Sequence, residues 1–123
     1  MTYKEVFQKI SSITVTTTTT DTVPVAYYQF PEDDGSGNYV PPSPPFLVYY
    51  YPSDNDFKAD DTNYTKIRDL TIELYTDNKD FTLEKAVEDT LTSNGLVYSK
   101  SEDYIESEKL YMVTFETEVI ING

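Results

Sequence analysis

Residues 65–96 read TKIRDLTIELYTDNKDFTLEKAVEDTLTSNGL, and a change of hydrophobic period halfway along separates a strand from a helix. In the first part Leu70, Ile72 and Leu74 alternate with Thr71, Glu73 and Tyr75, the period of two of a strand that buries one face. Asp77, Asn78, Lys79 and Asp80 break that period. Apolar residues then resume at Leu83, Val87 and Leu91, with Ala86 beside them, which is helical spacing. Asp80 or Thr82 supplies the oxygen that caps the helix start, and Asn94 with Gly95 ends it, because glycine takes the left-handed C-cap conformation without steric cost. A strand and a helix therefore share one core.

On the N-terminal side, Thr2 followed by Glu5 is a capping-box pair, and Tyr3, Val6, Phe7 and Ile10 fall at helical spacing, which predicts a short amphipathic helix. Thr16 to Thr20 is a β-branched run, read as linker or edge strand. Val23, Val25 and Tyr27 alternate with Pro24, Ala26 and Tyr28, and the early proline suits a strand entry or a sheet edge, with the strand reaching Phe30. Residues 31–45 hold five of the seven prolines together with Gly35 and Gly37, so they read as a long loop and a candidate exposed arm. Its Asp34-Gly35-Ser36-Gly37 segment looks like a hairpin tip and lacks the Gly-Lys-Ser/Thr ending of a phosphate-binding loop. The continuous run from Phe46 to Tyr51, stopped by Pro52, suits a central strand next to the Leu70 strand.

On the C-terminal side, Leu96-Val97-Tyr98 begins another strand, residues 99–103 are expected to form a turn, and a longer strand lies between Tyr104 and Ile121. Tyr111, Val113, Phe115 and Val119 share one face of it, and Leu110, Met112 and Ile120 lie on the other, interrupted by Thr114, Glu116 and Glu118. The two strands form an antiparallel hairpin. The expected fold is thus one α+β domain over residues 1–123, an antiparallel sheet packed with two helices, with flexible segments near 16–22 and 31–45.

Composition narrows the function. Nine Lys plus Arg against 22 Asp plus Glu give a net charge of −13, which argues against binding nucleic acid through its phosphates. The absence of Cys and His excludes disulfides, thiolate nucleophiles, Ser-His-Asp triads and the usual zinc sites. With 22 carboxylates, chance pairs at glycosidase spacing carry no weight. No Ser-x-x-Lys or Gly-x-Ser-x-Gly arrangement occurs, so no enzyme and no cofactor is expected. The acidic residues at 53–62 invite a calcium reading. An EF-hand loop counted from Asp54, however, puts Lys58, Ala59 and Thr65 where an oxygen ligand, Gly and Glu are required, so no metal is expected either. No run is long and apolar enough to cross a bilayer, and no secretion signal opens the chain, which reads as a soluble, cytoplasmic protein. Asn63-Tyr64-Thr65 is then a chance sequon. Twelve Tyr and six Phe suit a protein that makes protein–protein contacts, or simply a tyrosine-rich sheet core.

The order of elements, and the phrases PVAYYQF (24–30), PFLVYYY (45–51), IELYTD (72–77) and ESEKLY (106–111), resemble the small tail-completion, or tail-terminator, proteins of siphophages and of prophages in Gram-positive bacteria. The Thr16 to Thr20 run and the loop at 31–45 depart from that pattern. The resemblance implies an α+β protein whose six copies form a ring on the end of the tail tube. Its partners would be itself, the tail tube protein and the head-completion or connector proteins, first in the host cytoplasm and then in the virion at the head–tail junction. A ring needs complementary edges, and the candidate interface residues are Tyr49, Tyr51, Tyr75, Pro41 and Pro42. The candidate acidic lumen, past which DNA would slide without adhering, is Asp54, Asp56, Asp60 and Asp61, and the plainer alternative for that loop is a solvated turn. Another head–tail connector and a host-directed acidic binding protein are the competing readings.

Overall fold

The computed structural model describes residues 1–13, 23–28, 43–53 and 66–121. Seven elements follow in chain order: α1 (Tyr3–Ser11), β1 (Val25–Tyr27), β2 (Phe46–Tyr50), β3 (Lys66–Thr76), α2 (Phe81–Ser93), β4 (Tyr98–Ile105) and β5 (Leu110–Ile121). The strands form one sheet in the order β1-β2-β3-β5-β4, so β3, the strand of the 65–96 stretch, is central. The fold is α+β, with two helices among the described residues.

Each helix is fixed by its ends as the sequence suggests. In α1 the Thr2 hydroxyl accepts from the Glu5 backbone N–H at 3.1 Å, and the Glu5 carboxylate accepts from the Thr2 N–H at 2.9 Å. In α2 the cap is Asp80, whose carboxylate accepts from the Leu83 N–H at 2.9 Å. The other end closes as a Schellman motif: the Leu96 N–H donates to the Leu91 carbonyl and the Gly95 N–H to the Thr92 carbonyl, both at 3.0 Å, with Gly95 at a φ of 74°. Val6 and Ile10 of α1 and Leu83, Val87 and Leu91 of α2 are buried against Leu47, Leu70, Ile72, Leu74, Val113, Phe115 and Val119. Each buried apolar side chain of this size contributes about 1.5–3 kcal/mol, and all of these strand residues stand on one sheet face.

Three expectations are corrected. The sheet is mixed, because β1 runs parallel to β2, with Val25 beside Leu47 and Tyr27 beside Tyr49. A parallel pair requires a crossover of a dozen residues or more, and residues 28–45 are long enough to supply it. Secondly, residues 99–103 are the middle of β4, paired with β5 from Tyr98↔Thr117 to Ile105↔Leu110, and the turn is at 106–109. Being an edge strand exposed along most of its length, β4 lacks the apolar alternation that marks a strand; pairing with β5 specifies it instead. Tyr104 accordingly belongs to β4, and the longer strand, within the expected span, starts at Leu110. Thirdly, Leu96 and Val97 precede β4. The Thr16 to Thr20 run, most of the loop at 31–45 and the acidic loop lie outside the described residues.

Candidate functional site

The ladder registers assign every strand residue to a face. Opposite the helices stand Ala26 of β1, Phe46, Val48 and Tyr50 of β2, Thr71, Glu73 and Tyr75 of β3, Met112, Thr114, Glu116 and Glu118 of β5, and Ser99, Ser101 and Asp103 of β4. Both helices bury their apolar stripes on the other side. We call the side opposite the helices the outer face.

Its centre is built from two stacked ring pairs around one carboxylate. Tyr28 lies on Tyr50 with ring centroids 4.8 Å apart and 19° between planes, and Phe46 lies on Tyr75 at 4.8 Å and 17°. The Tyr50 hydroxyl donates to one Glu73 oxygen at 2.9 Å and the Tyr75 hydroxyl to the other at 2.8 Å. Burial, and then the bond to Glu73, pushes the Tyr50 hydroxyl up to about 12, and the same two causes in the same order raise Tyr75 further. Both phenols therefore keep their protons and act as donors at neutral pH. Tyr28 is 60% exposed and has a φ of 70°, a conformation that costs an aromatic residue free energy. Its N–H donates to the Tyr49 carbonyl at 2.9 Å, which holds the ring over Tyr50.

Next to this centre, where β4 begins, a groove of about 600 Å³ is lined by Asp69, Thr71, Glu116 and Glu118 with Pro52, Val97 and Ser99. Asp69 and Glu118 face each other across β3 and β5, and Asp69 accepts a hydrogen bond from the Ser53 hydroxyl.

A second polar cluster lies on the helix side. Glu84 of α2 is only 2% exposed and is ion-paired with two lysines, Lys79 at 2.5 Å and Lys100 at 3.0 Å. Lys100 also reaches Glu88 at 3.2 Å, Lys79 meets Glu102, and the Tyr98 hydroxyl donates to Glu88 at 2.7 Å. The lysines answer the buried carboxylate and bind the start of α2 to β4, which is a structural role. Glu84 was not anticipated, although its spacing to Val87 and Leu91 places it on their buried stripe. Among the described residues no three or more His, Cys, Asp or Glu side chains come together as a metal site, and no helix there is long and apolar enough to cross a membrane.

The sequence-predicted site residues do not form one surface. Tyr49 is buried, 8% exposed, on the helix side, where its ring meets Phe7 and Tyr27. Tyr51 follows on the same side, edge-on to Tyr3, whereas Tyr75 is on the outer face. The alternation of β2 separates them: Tyr50, between the two, is the tyrosine that shares a face with Tyr75. That alternation, read together with Glu73 beside Tyr75, was the available signal. Pro41, Pro42, Asp54, Asp56, Asp60 and Asp61 lie outside the described residues. Compared with known proteins, the chain matches no family model and no curated protein.

Proposed function

We propose that the protein is a structural component of phage morphogenesis, a tail-completion protein that caps the tail tube as a ring at the head–tail junction. The observation that supports this reading best is the outer face, where the exposed Tyr28 and the partly buried Tyr50 and Tyr75 are accessible above the buried Phe46 and Val48, with both described helices on the opposite side. Such a surface suits contact with other proteins, since aromatic residues are enriched in interfaces. The exposed β4 edge, carrying Lys100, Glu102 and Asp103, is protected by charge from indiscriminate strand pairing, so ring contacts would use faces and loops. The partners in this reading are other copies of the chain, the tail tube protein and the connector proteins, in the host cytoplasm and then in the virion. The net charge of −13 suits a wall past which DNA moves.

The test is an amber or deletion mutant of the gene in its phage or prophage, with induced lysates viewed by negative-stain electron microscopy. Tails of uncontrolled length beside unjoined, DNA-filled heads are the expected result. Normal joined virions would overturn it and favour a host-directed acidic binding protein.

A further inference from the structure

The two faces of the sheet differ in charge as well as in packing. The described strand cations are Lys66, Arg68 and Lys100, in register with Ile121, Val119 and Phe115, and all three stand on the helix side. The outer face carries Asp69, Glu73, Asp103, Glu116 and Glu118 and, among the described strand residues, neither lysine nor arginine. Four other carboxylates have a lysine in contact: Glu84, Glu88, Asp89 and Glu102. Among the described residues, Glu73 has the hydroxyls of Tyr50 and Tyr75 instead.

We propose that the outer face docks a partner protein through an arginine side chain seated on Glu73 between the Tyr28–Tyr50 and Phe46–Tyr75 stacks. Charge complementarity identifies the occupant. A carboxylate oxygen that already accepts one phenolic hydrogen bond keeps a further lone pair, and the planar guanidinium can reach both oxygens while lying against an aromatic ring. An ammonium group has no flat surface to stack and no fork. A nucleic acid is the wrong partner, because Glu116 and Glu118 extend the same negative field into the neighbouring groove. The Tyr28 ring, 60% exposed and held by a left-handed backbone, provides the wall that an incoming side chain meets first. This inference rests on the face itself and stands or falls separately from the phage reading.

The experiment is a titration of the full chain, followed by heteronuclear NMR, with the peptide Gly-Arg-Gly-Arg-Gly and with its citrulline counterpart, which keeps the shape and removes the charge. Saturable shifts concentrated at Phe46, Tyr50 and Thr71 to Tyr75 are expected, weaker by about tenfold or more with citrulline, and lost to a similar degree in Glu73→Gln. A tenfold loss corresponds to about 1.4 kcal/mol, close to the lower end of what a hydrogen bond to a charged group contributes. Glu102→Gln, on the helix side, should bind as the parent does. If Glu73→Gln does not fold, Tyr28→Ala replaces it, since it removes the wall and leaves Glu73 in place. Shifts spread over both faces, equal binding of the citrulline peptide, or binding unchanged in the outer-face variants would overturn the proposal. So would shifts at this face that grow with protein concentration alone, which would identify a second copy of the chain as the occupant.

Discussion

Two residues in left-handed conformations show how far the backbone alone sets stability. Gly95 ends α2 at a φ of 74°, and a Cβ added there meets nothing within 4 Å. Substitution therefore tests conformation without a clash. Gly95→Ala should destabilise by about 0.5–1 kcal/mol, the cost of about 1–2 kcal/mol for an L-residue in that region less the freedom the unfolded chain loses with its glycine, with the chemical-denaturation slope unchanged because the surface exposed on unfolding is the same. Lys109, in the turn between β4 and β5, has a φ of 56° and bears the same cost in the native chain. Lys109→Gly removes it but gives the unfolded chain more freedom, worth about 0.5–1 kcal/mol. The net expectation is a gain of about 0.5–1 kcal/mol, readable by urea unfolding, and a loss would show that Lys109 makes a contact that matters more than its backbone. The first position was visible in the sequence because Asn-Gly after a helical period marks a C-cap. The second was not, because nothing about a lysine announces a positive φ.

At the scale of elements, the β4–α2 clamp makes a prediction that pairwise counting misses. Glu84 is buried with a lysine near each carboxylate oxygen, so removing either lysine leaves it one cation, and removing both leaves a buried carboxylate alone. Lys79→Met combined with Lys100→Met should therefore cost about 1–2 kcal/mol more than the sum of the single changes. Adding Glu84→Gln to the double variant should recover most of that excess. Additive single costs would show that the lysines act independently of Glu84. The same clamp sets an acid limb. The hydroxyl of Tyr98, and then Lys100, hold the Glu88 carboxyl below its ordinary value of 4.5, so its contribution is present above that value and is lost as pH falls through the lower folded one. Glu88→Gln should flatten this part of a stability–pH curve. Elements that bury one face announced themselves: β3, β5 and α2 were legible because apolar residues recur at the period of the structure they form. The β4 strand was not, since residues 99–103 are Ser, Lys, Ser, Glu and Asp and owe their conformation to the neighbouring strand. The parallel β1–β2 pair was equally hidden, because strand direction is a property of topology and not of periodicity. As for the site, the tyrosines were conspicuous, but their division between faces depends on register, which put Tyr50 with Glu73 and Tyr75 and sent Tyr49 into the core.

For the whole molecule, the tyrosines link the sheet to alkaline stability. Burial is the largest cause that raises the hydroxyls of Tyr49, Tyr50, Tyr51 and Tyr75 above their ordinary value of 10.0, and these residues lie on both faces of the sheet, in β2, just after it and in the central β3. Below the ordinary value a buried phenol is protonated in both the folded and the unfolded chain, and the full stability is present. Above it the unfolded chain releases protons that the folded chain retains. The unfolded state then binds fewer protons and stability falls with pH, through a window that runs from 10.0 to about 12 for Tyr50 and extends higher for Tyr51 and Tyr75. Urea unfolding followed across this range should give a stability that is level as pH approaches 10.0 and declines steadily beyond it, with tyrosinate absorbance rising together with the loss of structure. Glu73→Gln isolates the outer face. It removes the charged acceptor that raises Tyr50 and Tyr75 but leaves their burial, so both hydroxyls should titrate closer to the ordinary value and the decline should become shallower. An alkaline slope unchanged in Glu73→Gln would assign the shift to burial alone and show that the carboxylate between the two stacks has no hold on the hydroxyls beside it.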